Sequence, residues 1–182
     1  MELNNKINFF FKEFEKLKDE QNKRIEFRDH MIYITLGVIG GVFSFILEKP
    51  EYITALLVLP FVNIILGWTY LMNDKKISEI GDYIREVLIP KIELSLRDDN
   101  LNIYPSWEEY HKMLPDRRKT KIFQLVLDLL LFSLTSALSV VLFFFNVSEI
   151  NKLQLFVIIF ESLIVVFLAI QFINASVNTH TN

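Results

Sequence analysis

The 182-residue chain is rich in apolar side chains: 52% of its residues are hydrophobic, 17 are Phe and only 5 are Gly. This balance excludes an ordinary soluble globule as the leading interpretation. The lack of Cys excludes disulfides, thiol catalysis and thiolate metal sites. The 19 basic and 22 acidic residues leave a formal charge of −3, which gives no support to a nucleic-acid partner.

In chain order, the charged residues avoid four long apolar stretches. These stretches contain two acids, Asp128 and Glu161, and no Lys or Arg. Roughly 20 apolar residues in a helix cross the hydrocarbon core of a bilayer. The pattern therefore predicts an all-α polytopic membrane protein whose four transmembrane helices form two hairpins, with amphipathic cytoplasmic helices. The four stretches are Met31–Leu47, Ile53–Met72, Ile122–Phe145 and Leu153–Ala175.

The distribution of Lys and Arg predicts the orientation of the spans. Seven of these residues fall in 1–30 and ten in 73–121, and positive charge marks the cytoplasmic side. We therefore expect both termini and the middle segment to be cytoplasmic. No signal-peptide core precedes the first stretch, so we expect the chain to stay intact. The predicted parts are a cytoplasmic amphipathic helix (1–30), a first transmembrane hairpin (31–72), a cytoplasmic helical cap (73–121), a second hairpin (122–175) and a cytoplasmic tail (176–182).

The first 29 residues have the apolar periodicity of an amphipathic helix. Its apolar face has two interpretations: it packs on the chain's own middle segment or on the membrane surface, or it joins subunits as a short seam that makes a homo-oligomer. The face consists of Leu3, Ile7, Phe10, Phe14 and Leu17.

The middle segment predicts short helices rather than a catalytic domain. Asn73 and Asp74 are plausible N-caps for a helix that Pro90 breaks or kinks. A capping box at Ser106–Glu109 opens another short helix. These pieces are too small for an independent enzyme domain, so they predict a helical cap beneath the membrane.

A basic cluster comes directly before the third apolar stretch. Its first interpretation is a topology signal whose side chains also hold anionic lipid headgroups. The alternative is a site for an anionic cytoplasmic ligand such as a nucleotide or short oligonucleotide. The cluster consists of Arg117, Arg118, Lys119 and Lys121.

The two acids inside the apolar stretches are the most informative residues, because an acid at membrane depth should face protein or water. Counting 1.5 Å per residue in an antiparallel pair places Asp128 level with Gln171, and Glu161 near Thr135 and Ser139. This polar stripe either bonds neighbouring helices or lines a water-filled path formed between subunits. Proton-coupled transport is a further alternative.

Two residues of the second stretch also carry an expectation. Pro60 and Asn63, near mid-membrane, predict a kink in which the Asn63 amide bonds a neighbouring helix. Tyr70, near a predicted interface, is expected to belong to the aromatic belt.

The chain lacks the motifs of the common catalytic sites. Its five Gly residues form no P-loop, and neither a metalloprotease HExxH motif nor a nucleophile elbow is present. Its three His residues are isolated and lack metal-ligand spacing. We therefore expect no enzymatic activity, no metal and no cofactor.

Three runs carry a resemblance: Phe27–His30 before the first stretch, Leu66–Tyr70 at the end of the second and Lys76–Arg85 after it. They look like a group of small bacterial membrane proteins. The predicted architecture also resembles membrane effectors of anti-phage operons, both SLATT-type proteins and the channel subunit of Hailong-type systems. This resemblance implies an oligomeric channel in the bacterial inner membrane that is held shut and opens upon infection. A partner enzyme or a nucleotide-type signal would control it.

The leading hypothesis from the sequence is thus a gated homo-oligomeric pore or membrane effector of antiviral defence. The alternative is a non-conducting adaptor that anchors a soluble partner through the helices of 1–29 and 73–121. The two hypotheses differ in whether the intramembrane acids or the apolar face of the N-terminal helix matters more.

Overall fold

The computed structural model describes residues 2–96 and 117–178, and within these ranges every regular element is helical. A 3-10 helix, Pro50–Leu57, connects α1 to α2, and two π-helical segments, Ile84–Leu88 and Leu129–Leu134, each join two α-helices. The α-helices are α1 (Glu2–Glu48), α2 (Val58–Tyr83), α3 (Ile89–Leu96), α4 (Arg117–Asp128), α5 (Thr135–Asn146) and α6 (Lys152–Asn178).

The N-terminal amphipathic segment and the first apolar stretch form one helix. α1 runs from Glu2 to Glu48 without a break at residue 30. Neither Pro nor Gly occurs before Gly37, so nothing in the sequence interrupts the helical hydrogen bonds there.

The expected helix start at Asn73 and Asp74 is wrong, because α2 continues through both residues to Tyr83. The helical path also continues past Pro90, through the π-helical segment and into α3. In that segment the Ile89 N–H bonds the carbonyl of Ile84, five residues earlier. This π-type hydrogen bond spans five residues instead of the four of an α-helix. It allows the helix to continue past Pro90, which would break a regular α-helix.

The part of the chain that the structure describes has four helices long and apolar enough to cross a membrane. They are Ile7–Glu48, Pro50–Ser95, Lys119–Asn146 and Lys152–Ser176. The described part of the chain is all-helical, and the length and composition of its helices are those of a multi-pass membrane protein.

The chain divides into two compact units. The first, here the charged unit, comprises Met1–Phe27 and Asn73–Thr120, and the second, the apolar unit, comprises Arg28–Met72 and Lys121–Asn182. Each unit combines two segments that are distant in the chain. α1 and α2 each contribute residues to both units.

In the charged unit, α1 packs on the end of α2. Gln21 Nε2 donates to the Ile77 carbonyl at 3.2 Å, and the Tyr83 hydroxyl donates to a Glu13 carboxylate oxygen at 2.8 Å. These contacts agree with the interpretation in which the N-terminal helix packs on the chain's own middle segment. Half-buried apolar side chains of its predicted face are Ile7, Phe10, Phe14 and Leu17; the side chain of Leu3 lies outside the described part.

The apolar unit has two hydrophobic clusters at different depths. We call them the Phe132 cluster and the Phe143 cluster after a fully buried ring in each. The Phe132 cluster contains Met31, Tyr70, Leu71, Phe132, Leu168 and Phe172. The Phe143 cluster contains Ile46, Leu56, Leu57, Leu59, Phe143 and Ile158.

Candidate functional site

A layer of buried polar side chains lies between the two hydrophobic clusters. In each of α1, α2 and α6, one buried polar residue lies about one helical turn after a residue of one of the clusters. In α5, two buried polar residues lie between Phe132 and Phe143. All four membrane-crossing helices therefore contribute to one polar layer. Its members are Thr35, Asn63, Ser136, Ser139 and Glu161.

Ring contacts fix the register of α2 against α6. The ring centroids of Phe61 and Phe160 are 6.4 Å apart, and those of Trp68 and Phe167 are 6.1 Å apart. Both pairs are separated by the same number of residues along the chain, so the two helices run parallel at this contact. In this register Asn63 is level with the residue that follows Glu161. The depths of Asn63 and Glu161 therefore differ by about 1.5 Å along the helix axis.

The Phe143 cluster places α5 in the same register. Leu59, Phe143 and Ile158 belong to this cluster, and one turn away from it the three helices carry Asn63, Ser139 and Glu161. Residues three or four apart share a helix face. The side chains of Asn63, Ser139 and Glu161 thus converge at one depth, from three different helices.

The orientation of the Asn63 amide is fixed by its neighbours. Its Nδ2 donates to Thr135 Oγ1 and to Ser136 Oγ, both at 3.0 Å. Each of these hydroxyls gives its own proton to a backbone carbonyl, the first to Leu131 and the second to Phe132. Because both hydroxyls must accept, the amide presents its nitrogen to them and its oxygen elsewhere. The expected bond from Asn63 to a neighbouring helix is confirmed, but Pro60 lies in the first turn of α2, where no earlier turn of this α-helix exists for it to kink.

The other hydroxyls of the layer also donate their protons to backbone carbonyls. Thr35 Oγ1 donates to the Met31 carbonyl at 2.7 Å, and Ser139 Oγ donates to the Ser136 carbonyl at 2.8 Å. A hydroxyl carries a single proton. These side chains therefore offer only lone pairs to the interior of the layer.

Several buried polar atoms of the layer have no partner. Glu161 is 0% exposed, yet neither of its carboxyl oxygens has a hydrogen-bond partner within the described helices, and the same is true of Asn63 Oδ1. Ser133 Oγ, one turn from Ser136, is also unpartnered and does not reach Glu161. Unpaired buried polar groups are costly and rare, so this concentration of them points to a function.

Asp128 lies in a different environment, at the other side of the Phe132 cluster. It is buried, and its carboxyl accepts a hydrogen bond from the Tyr70 hydroxyl. Gln124 Nε2 donates to the same hydroxyl at 3.3 Å. The guanidinium carbon of Arg28 lies 6.0 Å from the centroid of the Tyr70 ring, within cation–π range.

The π-helical segment Leu129–Leu134 lies between these two environments. At its end the Thr135 N–H bonds the carbonyl of Leu130, five residues earlier. Short π-helical segments often occur at functional sites, because they shift the helix register locally. Here the shift falls between Asp128 and the hydroxyls of the layer.

The remaining sequence-predicted residues are placed as follows. Gln171 is half-buried on α6, next to Phe172 of the Phe132 cluster. In the basic cluster, Lys119 is exposed and Lys121 half-buried, and both have interactions within the chain. The side chains of Arg117 and Arg118 and the capping box at Ser106–Glu109 lie outside the described part.

Sequence reasoning missed three members of these sites. Tyr70 is 3% exposed, so its assignment to the aromatic belt is wrong: its ring packs on Phe132 at 5.4 Å. Thr35 and Ser136 were not predicted, although each is a hydroxyl-bearing residue within an apolar stretch. Their spacing of four residues after Met31 and Phe132 is the signal that could have placed them on a buried face.

No family model, curated protein or solved structure matches the chain. Within residues 2–96 and 117–178, no group of three His, Cys, Asp or Glu side chains could hold a metal ion.

Proposed function

We propose that this protein is a gated ion channel of the membrane, working as a homo-oligomer, whose conducting path passes the polar layer. The observation that carries this proposal is Glu161, buried between the helices with both carboxyl oxygens unpartnered. An ionisable residue at membrane depth is costly and commonly marks an ion path. A carboxyl that served only to join helices would have a partner, as Asp128 does.

The two hydrophobic clusters correspond to a closed state. The fully buried rings of Phe132 and Phe143 lie on opposite sides of the layer, and Phe132 stacks on Phe172 with ring centroids 5.7 Å apart. Hydrophobic constrictions of this kind exclude water and thereby stop ion flow. Opening would require these rings to separate.

The π-helical segment and Pro60 supply places where the helices can change shape. The segment Leu129–Leu134 directly precedes the hydroxyls on α5, and Pro60 is buried one turn before Asn63. The π-helical segment departs from regular α-helical hydrogen bonding, and Pro60 lies in the first turn of α2, where this helix joins the 3-10 helix; both are candidate hinges beside the layer.

The finer parts of the proposal depend on the sequence. The Lys and Arg distribution supports two hairpins with cytoplasmic termini and a cytoplasmic cap. The family resemblance supports the bacterial inner membrane, a role as an effector of antiviral defence, and control by a cytoplasmic partner or nucleotide-type signal near the basic cluster. The proposed role involves no catalysis.

A non-conducting adaptor is the second candidate. The rings of Phe9 and Phe11 are 63% and 48% exposed on the charged unit. Exposed aromatic side chains of this size are suited to a protein partner. On this alternative, Phe9→Ser and Phe11→Ser would abolish function while Glu161→Gln would leave it intact.

Single-channel recording from the purified oligomer in planar bilayers tests the proposal, with Glu161→Gln beside the parent chain. We expect discrete currents that Glu161→Gln changes or abolishes. Glu149→Gln is the matched control, because Glu149 is exposed in the connection between α5 and α6. Currents that respond equally to both substitutions, or are unaffected by either, would remove Glu161 from the path.

A further inference from the structure

The polar layer presents hydrogen-bond acceptors without donors. Its unpartnered oxygens are both carboxyl oxygens of Glu161 and Oδ1 of Asn63. The hydroxyls of Thr35 and Ser139 give their protons to backbone carbonyls, so they also present lone pairs. No donor within the layer remains to bond the carboxyl.

The Asn63 amide shows that this acceptor character is built into the packing. Both hydrogens of its Nδ2 go to the hydroxyls of Thr135 and Ser136, which accept because their own protons bond carbonyls of the π-helical segment. Turning the amide over would place its oxygen against two oxygens with no proton to give. The Oδ1 atom is therefore held away from α5, at the depth of Glu161.

Charge balance points to a single positive charge. The apolar stretches contain no Lys or Arg, so no side chain within them neutralises Glu161. Asp128, the other acid, is one cluster away and already bonded to Tyr70. One monovalent cation neutralises one carboxylate, whereas a divalent ion would leave an uncompensated charge in a medium where that is costly.

We propose that the polar layer binds one alkali-metal cation, Na⁺ or K⁺, through the carboxylate of Glu161, Oδ1 of Asn63 and the hydroxyl oxygen of Ser139. Hard cations take oxygen ligands of these kinds. The two hydrophobic clusters lie on either side of this layer. This inference deepens the proposed conduction and rests on it for its biological role, but it is measured as binding.

Thermal unfolding of the purified protein in detergent tests the site. The probe cations are Na⁺ and K⁺ added as chlorides, at constant ionic strength maintained with N-methyl-D-glucamine chloride. We expect a saturable rise in the unfolding midpoint with one or both cations, since a ligand that binds only the folded state stabilises it. Ca²⁺ and Mg²⁺ at the same ionic strength should give no saturable rise.

Two variants and a control localise the effect. Glu161→Gln keeps the shape of the side chain and should abolish the cation-dependent rise, while Ser139→Ala should increase the half-saturating concentration about tenfold. Glu149→Gln should behave as the parent chain. Size-exclusion profiles and helical content of each variant establish that it is folded before the comparison.

The outcomes separate this inference from the proposed function. A midpoint that does not respond to Na⁺ or K⁺, as a site for a proton alone would give, overturns the cation site. A response that persists in Glu161→Gln overturns it as well. Saturable protection without any current supports the site and contradicts the channel, whereas current without protection supports the channel and contradicts the site.

Discussion

Asp128 and Glu161 look alike in the sequence, because each is the single acid of an apolar stretch. The side chains that surround the two acids differ. Asp128 accepts from the Tyr70 hydroxyl, and the same ring lies near the guanidinium of Arg28. The carboxyl oxygens of Glu161 have no hydrogen-bond partner, and the neighbouring Ser139 hydroxyl donates its proton to a backbone carbonyl. The first acid is a structural partner, and the second is available for a ligand.

Depth alone therefore does not assign a role to an intramembrane acid. Both residues are buried, and both lie on α-helices that cross the apolar unit. What separates them is whether a donor side chain from another helix reaches the carboxyl. Burying a carboxyl that accepts no hydrogen bond costs desolvation free energy, and no other contact of that group offsets the loss. A function is therefore needed to explain such a carboxyl.

The largest effect is expected at Phe132, whose ring lies in the cluster between the two acids. Phe132→Ala should lower the free energy of unfolding by about 3–5 kcal/mol, because a fully buried ring is replaced by a cavity. Denaturant unfolding in detergent micelles measures the loss. Phe144→Ala is the control, since that ring is 56% exposed. Equal losses in the two variants would contradict the cluster as a barrier between the acids.

The comparison itself predicts opposite signs for removing the two acids. In the absence of alkali cations, Glu161→Met should stabilise the protein by about 1–3 kcal/mol, because it removes unpaired buried oxygens. Asp128→Leu should destabilise it by a similar amount, because Tyr70 loses its acceptor. The same unfolding measurement checks both. If both substitutions destabilise the protein, Glu161 has a partner and the distinction between the acids fails.

Gly67 tests how closely the helices pack between the two regions. A Cβ there would lie 3.0 Å from Leu168 Cδ2 and 3.1 Å from the Phe132 ring. Gly67→Ala should therefore cost about 1 kcal/mol overall, since overpacking outweighs the helix propensity of Ala. Gly40→Ala meets nothing within 4 Å and should be neutral or stabilising by up to about 1 kcal/mol. Thermal unfolding of the pair decides whether the approach at Gly67 is this close.

The smallest effect concerns the exposed counterpart of the Tyr70–Asp128 bond. In the charged unit, the hydrogen bond that Tyr83 donates to Glu13 raises the pKa of the Tyr83 hydroxyl. The stabilisation is complete below the unfolded-state pKa of about 10 and is lost as pH rises through the higher folded-state pKa. Tyr83→Phe should cost at most about 0.5 kcal/mol at neutral pH, because the pair is exposed.

Unfolding of the parent chain and Tyr83→Phe between pH 8 and about pH 11 measures this contribution. The difference between them should shrink as pH rises. A difference that is constant across this range would mean that the bond to Glu13 is absent from the folded state.

The class of the protein could be predicted from its amino-acid sequence. Apolar stretches of sufficient length that lack Lys and Arg predicted four membrane-crossing helices, and the described structure has four such helices. The bond from the Asn63 amide to a neighbouring helix was also predictable, because an amide in an apolar helix must find a partner.

Which polar residues meet depends on how the helices pack together. α2 continues through Asn73, whose side-chain oxygen accepts a hydrogen bond from Arg24 of α1 instead of capping a helix start. The partner of Asp128 and the lack of one for Glu161 depended on helices far apart in the chain. Periodicity specifies which face of a helix is apolar, whereas the proton donors that reach that face come from other helices, and only their packing brings them within range.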